Sequence, residues 1–204
     1  MPSRHVVKLY AKDTYYHVFN RGVAKQIIFQ DKQDYSVFLN LLKRYLDIKP
    51  TVDNRGREYE WLRDRIELLA FCLMPNHFHL FLYTKHPKGL PRLMAGVCTS
   101  YAGYFNKKYQ RVGPIFQSTY KAAPVESDEY LLHISRYIHM NPPDYRAWEP
   151  SSLKAYLGKQ KLSWLQPEKV LELFENDKEY TEFLADYQDY KQTLDEVKSL
   201  LASE

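Results

Sequence analysis

The chain has 204 residues, with 29 Lys/Arg against 25 Asp/Glu for a formal net charge of +4, and is 45% hydrophobic and 26% charged. That length carries one domain with a substantial core plus an appendage, and the composition is that of a folded chain, not a disordered or repetitive one. No apolar run approaches the ~18 residues of a membrane span, and residues 1–12 lack an apolar secretory core, so a cytoplasmic protein is expected.

In chain order, the aromatic and β-branched run at residues 15–20, closed by Arg21-Gly22, predicts a strand. Asp31 then caps a helix whose apolar residues, Tyr35, Phe38, Leu39, Leu42, Tyr45 and Leu46, recur at helical spacing until Pro50 stops it. The Arg-rich polar stretch 51–65 predicts a loop or hairpin arm. Two strongly apolar runs, 66–74 and 77–83, flank Pro75-Asn76 and predict a β-hairpin. Cys72 in the first run and Cys98 further on read as small buried hydrophobes, not as a disulfide or zinc pair. After Gly89, the residues Leu90, Leu93, Met94, Val97, Tyr101, Tyr104 and Phe105 mark a second helix, with Lys107, Lys108 and Arg111 suited to its C-terminus. A strand-like run at 115–125 follows. Ser127 then caps a third helix, with Asp128 and Glu129 in its first turn, which Pro142-Pro143 ends.

This order, βαββαβ and then a helix, matches the ferredoxin-like arrangement: an α+β fold with one antiparallel sheet, two helices on one face and the other face free to hold chemistry. Residues 1–145 make up that domain and 146–204 a mainly helical extension. The charge is split between them. Residues 1–166 hold 25 Lys/Arg against 14 Asp/Glu, whereas residues 167–204 hold 4 against 11. A body this basic attracts a polyanion, of which nucleic acid is the commonest. The 18 Tyr and 10 Phe, many beside Lys or Arg, suit base stacking, although half-buried sheet positions account for tyrosine equally well. The acidic segment from residue 167 predicts one or two amphipathic helices, either solvated or covering part of the basic surface.

His77-Phe78-His79 opens the second arm of the hairpin. Side chains alternate along a strand, so both imidazoles share one face while Phe78, Leu80 and Leu82 enter the core. Two neutral imidazoles on one face make half of a divalent metal site, but a lone pair of this kind is as readily two ordinary strand histidines. On the third helix Tyr130, Ile134, Tyr137 and Asn141 form one stripe. A phenol and a carboxamide one turn apart can supply a nucleophile and a further metal donor. They can equally be a boundary tyrosine and a helix-stop asparagine.

Taken together, Leu73-Met74-Pro75-Asn76-His77-Phe78-His79-Leu80 and Arg136-Tyr137-Ile138-His139-Met140-Asn141-Pro142 resemble the REP-associated tyrosine transposases, relatives of the single-tyrosine HUH transposases of small bacterial insertion sequences. The resemblance spans roughly residues 10–145 and includes Tyr16-His17 to Arg21-Gly22 and the segment 113–121. It implies a ferredoxin-like sheet, His77 and His79 as the two histidines of the HUH motif, Tyr137 as the catalytic tyrosine and Asn141 as the third ligand of Mg²⁺ or Mn²⁺. It also implies single-stranded or hairpin DNA as substrate, here the repetitive extragenic palindromes of bacterial chromosomes, cut through a 5′-phosphotyrosine intermediate by a protein associated with the nucleoid.

Arg21, Lys25, Lys107, Lys108, Arg111, Lys121 and Arg136 lie beside the motif segments and are the expected DNA contacts, with Tyr101, Tyr104 and Tyr109 interleaved among them. A phenol ionises near pH ~10, so Tyr137 needs help to lose its proton; Glu67 and His139 are weak candidates. No protein partner is expected. Two rival readings stand: a domesticated protein that binds palindromes without cutting, and a metal-dependent hydrolase using water. The hydrolase needs a carboxylate ligand, which the motif segments lack.

Overall fold

The structure, a computed structural model, describes residues 10–186. Four strands, β1 (Thr14–Arg21), β2 (Ile66–Met74), β3 (His77–Thr84) and β4 (Lys121–Val125), form one antiparallel sheet in the order β2-β3-β1-β4. With α1 (Lys32–Leu46) and α2 (Gly89–Lys108) between strands, this is the ferredoxin-like arrangement predicted above. The hairpin turns at Pro75-Asn76, setting Met74 opposite His77.

The first face of the sheet packs on α1 and α2. Tyr16 and Val18 of β1, Phe78, Leu80 and Leu82 of β3, and Phe38, Leu42, Leu93, Tyr101 and Phe105 of the helices share this core. A bulge between Leu68 and Ala70 changes the phase of β2. Ile66 and Leu68 before it, and Phe71 and Leu73 after it, all face the first core, while Leu69, Ala70 and Cys72 face the other way.

That second face is not free, which corrects the expectation of an open sheet. A third helix, α3 (Asp128–His139), capped by the Ser127 side chain, lays Leu131, Ile134 and Ile138 over Leu69, Ala70, Cys72 and Phe81. The physical cause is visible in β2: a nearly unbroken apolar run can be buried only if both faces are covered. The chain after α3 then runs along the outer edge of β2. Leu73 N–H donates to Pro150 O (2.9 Å), Ser152 N–H to Phe71 O (3.0 Å) and Gln166 N–H to Leu68 O (2.8 Å). An edge strand that would otherwise template aggregation is thereby paired. Three short helices, α4 (Leu153–Tyr156), α5 (Glu168–Leu171) and α6 (Asp177–Ala185), complete this layer, burying Tyr156, Val170, Tyr180 and Leu184. Through residue 186, then, the acidic segment is neither a solvated helix nor a loose cover. Part of it is core. The expectation for 187–204 lies outside the described residues.

Three boundaries differ from the sequence expectation. α1 ends at Leu46, before Pro50, because Leu62 N–H and Trp61 Nε1–H donate to the carbonyls of Tyr45 and Asp47. The run at 115–125 pairs as a strand only from Lys121, with a single bridge from Phe116 to Gly22 before it. α3 ends at His139, so Asn141 follows the helix instead of closing it.

Two buried polar groups hold the layers together. The Asp34 carboxylate, at the N-terminus of α1, accepts from Lys108 Nζ, Tyr104 Oη and Tyr109 Oη, each at 2.8 Å, and from Gln30 N–H at 2.7 Å. Burial alone raises its pKa, but these donors outweigh that effect and hold it below the usual carboxylate range. His139 is wholly buried, with Nδ1 2.6 Å from Tyr180 Oη and Nε2 2.7 Å from Ser152 Oγ. Burial lowers its pKa to about 3.

Replacing Asp34 with Ala leaves two tyrosine hydroxyls and part of the Lys108 charge uncompensated. We expect a loss of about 3 kcal/mol in urea unfolding, as for a broken buried pair; a loss below about 1 kcal/mol would show that the cluster is not buried as described. The His139 shift fixes a pH dependence. Its folded pKa lies below the unfolded value near 6.5, so the unfolded chain binds the extra proton between the two. Stability is full above pH ~6.5 and falls as pH drops toward 3, by up to ~1.4 kcal/mol per pH unit. Equal unfolding free energies at pH 7 and pH 5 would contradict the neutral, buried imidazole.

Candidate active site

The site forms where β3 leaves the hairpin turn. His77 and His79 project from the second face, opposite Arg21 and Phe19 of β1 in the strand register. Asn76, in the turn, faces His77, with Oδ1 2.6 Å from His77 Nδ1. α3 crosses above and, with the residues just after it, delivers two more groups. The Tyr137 ring meets that of His79 edge-on at 5.2 Å between centroids, and Asn141 Oδ1 lies 3.2 Å from His77 Nε2. His77, His79, Tyr137 and Asn141 line one cavity of about 430 Å³ with Phe19, Asn20, Arg21, Gln117, Ser118 and Lys121. The HxH pair and the Tyr/Asn pair, distant in sequence, thus converge.

Beneath them lies His17 of β1, 1% exposed, with Nε2 2.9 Å from His79 Nδ1 and its ring stacked on that of His79 at 5.0 Å. Burial pushes the His17 pKa down to about 3. His77 is lowered to about 4 by burial and by the Arg21 charge. His79 is held well below the ordinary histidine value by burial and by its neighbours His17, His77 and Arg21. At neutral pH all three rings are therefore uncharged, which is the form of imidazole that ligates a metal.

Two imidazole nitrogens and an amide oxygen are donors that can hold a divalent cation. The 3.2 Å between His77 Nε2 and Asn141 Oδ1 is close to the ~3 Å that separates adjacent donors on an octahedral ion with bonds of about 2.1 Å. Imidazole nitrogen with amide oxygen is a mixed set, and among the described residues no group of three or more His, Cys, Asp or Glu forms an alternative metal site.

The expected DNA contacts divide into three groups. Arg21 and Lys121 line the cavity. Lys25 and Lys107 are exposed, and Arg111 borders a separate, wide depression with Gln26, Phe29, Tyr35 and Pro75. Lys108 and Arg136 are corrected. Lys108 directs its ammonium to Asp31 and Asp34. Arg136 is 0% exposed and donates to the carbonyls of Phe183 and Asp186, tying α3 to α6. Both are cations inside the fold because each meets partners from distant sequence. The interleaved tyrosines are likewise structural: Tyr101 is fully buried on the Ile28 carbonyl, and Tyr104 and Tyr109 serve Asp34.

The two weak candidates for a base are also elsewhere. Glu67 pairs with Lys85 and Lys169, and His139 is buried in the second core. Sequence reasoning missed His17 and Asn76 as site residues. His17 and Phe19 share a strand face by alternation, but only the β1–β3 pairing puts that face beside His79. Asn76 was read as a turn residue alone.

Comparisons with known proteins bear on the family and the fold. The family described as "Transposase IS200 like" matches residues 12–141, more than half of the chain. No curated protein matches. Among solved structures, a REP-associated tyrosine transposase bound to a REP hairpin has a similar fold, with a TM-score of 0.54 at 14% identity over 80% of this chain and 92% of that one. Among the described residues no helix is long and apolar enough to cross a membrane. Given a match that begins two residues before β1 and ends on Asn141, the chain belongs to the IS200-like transposases.

Proposed function

We propose that this transposase cleaves and rejoins single-stranded or hairpin DNA, with Tyr137 as the nucleophile and His77, His79 and Asn141 holding Mg²⁺ or Mn²⁺. One observation carries the reading: neutral imidazoles from β3 and the phenol and amide delivered by α3 meet in one cavity rimmed by Arg21 and Lys121. A core-filling tyrosine or a helix-stop asparagine has no reason to converge on both histidines. The REP hairpin held by the structural relative supports palindromic DNA as the substrate class.

In this mechanism the Tyr137 oxygen attacks phosphorus in line and loses its proton. The P–O3′ bond breaks, and the departing oxygen takes up a proton to become a free 3′-hydroxyl. The product is a 5′-phosphotyrosyl linkage, near in energy to the phosphodiester it replaces, so a second hydroxyl can reverse the step and rejoin a different end. The cation, when bound, would neutralise phosphate charge and polarise phosphorus. The chain's own residues do the rest. Arg21 and Lys121 draw the scissile phosphate into the cavity. Packing of α3 on β2 and β3 fixes the tyrosine against the histidines. Lys25, Lys107 and Arg111 extend the basic surface for the flanking strand.

With Mn²⁺ and 5′- or 3′-labelled single-stranded hairpins, a denaturing protein gel is expected to show an adduct carrying the 3′-side fragment. It should vanish in Tyr137→Phe and in EDTA. Undiminished cutting by Tyr137→Phe would refute the tyrosine mechanism, and tight binding without any adduct would make the protein a palindrome binder. Arg21→Ala should weaken DNA binding and reduce the slope of log K against log [salt] by about 1; an unchanged slope would remove Arg21 from the phosphate contacts.

A further inference from the structure

The hydrogen bonds behind the two ligand histidines are not equivalent. His77 has Nδ1 against Asn76 Oδ1 at 2.6 Å. Amide oxygens lie against both nitrogens of His77, Asn141 Oδ1 standing 3.2 Å from Nε2. A neutral ring has one proton for the two, and the shorter contact places it on Nδ1, so a cation between Nε2 and Asn141 Oδ1 would meet a free lone pair. His79 has Nδ1 against His17 Nε2 at 2.9 Å. Here the partner can either donate or accept, and the two arrangements have opposite consequences. If His17 donates, the single proton of His79 sits on Nε2, and that nitrogen cannot coordinate. If His17 accepts, His79 carries its proton on Nδ1, and Nε2 has a free lone pair.

We propose that His17 is a positioning residue whose Nε2 accepts the Nδ1–H of His79, and so converts His79 into a competent metal ligand. The inference rests on the reading of His77, His79 and Asn141 as metal donors. Each ring keeps one proton throughout. With His79 protonated on Nδ1 and His17 on its own Nδ1, both rings are neutral, so this arrangement would leave His79 Nε2 free for a cation without releasing a proton. Three features of the fold hold His17 to this task. The β1–β3 register fixes its backbone. Its ring packs against those of Phe19 at 5.1 Å and His79 at 5.0 Å. The Tyr137 ring stands edge-on to it at 5.7 Å. Metal-bound histidines commonly donate their second N–H to a carboxylate or carbonyl. An imidazole in that place supplies the same hydrogen bond without adding negative charge next to a site that must receive a phosphate.

The test compares Mn²⁺ binding, read from the EPR signal of free Mn²⁺, in wild type, His17→Leu and His17→Gln, with melting curves to establish folding. Leu offers no acceptor, and we expect about 10–100-fold weaker binding. Gln places an amide oxygen where Nε2 was and should restore most of the affinity. Unchanged binding in His17→Leu would overturn the proposal, as would equal losses in both variants at unchanged melting temperature. Absence of Mn²⁺ binding in wild type would instead remove the metal reading beneath it, and the proposal with it. Should His17→Leu fail to fold, long-range ¹H–¹⁵N correlation on the wild-type protein with saturating Mg²⁺ decides the matter: a proton on His79 Nδ1 supports the proposal, and one on Nε2 refutes it.

Discussion

The site depends on the way α3 is pressed onto β2 and β3. Tyr137 reaches the histidine strand on α3 and Asn141 just after it, with Asn141 Oδ1 3.2 Å from His77 Nε2. What presses α3 onto the sheet is the apolar contact of Leu131, Ile134 and Ile138 with Leu69, Ala70, Cys72 and Phe81, all 0–2% exposed. Burying such side chains stabilises the contact by roughly 1.5–3 kcal/mol each, and close packing allows little sliding. The bulge in β2 matters for the same reason, since it turns Leu69 and Ala70 together toward the helix. The placement of α3 over the histidine strand is thus set in large part by a hydrophobic interface.

The extension reinforces that interface. Residues 148–166 pair with the edge of β2, and α6 covers α3 from outside, with Arg136 donating to the carbonyls at the end of α6. Burying a guanidinium is costly unless its donors are satisfied. Carbonyl oxygens at the end of a helix are natural acceptors, since they have no partner within the helix. The segment that looked like an acidic appendage is, through residue 186, part of what holds α3 in place.

Electrostatics separates two uses of positive charge. Lys108 and Arg136 spend theirs inside the fold, on Asp31 and Asp34 and on main-chain carbonyls. Arg21 and Lys121 keep theirs at the cavity, where the Arg21 charge also helps to hold His77 neutral. Uncharged histidines beside cationic residues suit an anionic ligand, which the rim attracts and the rings do not repel.

Much of this was legible in the sequence for physical reasons. Period-2 and period-3.6 patterning, Pro75-Asn76 and the Asp31 and Ser127 caps determined the element order, and βαββαβ admits few topologies. Alternation along β3 determined that His77 and His79 share a face; helical spacing predicted one stripe for Tyr137 and Asn141, although Asn141 lies past the end of α3. Three things waited on tertiary structure. The continuous apolar run of β2 meant that both faces are buried, but not which segment covers the second. A buried cation such as Arg136 looks like any surface arginine until its carbonyl partners, far along the chain, are known. His17 became a site residue only through its pairing across two strands, with His79 62 positions away. Local physics acts between neighbours in sequence and is written there. Contacts between distant segments are chosen by packing, and only the folded chain records them.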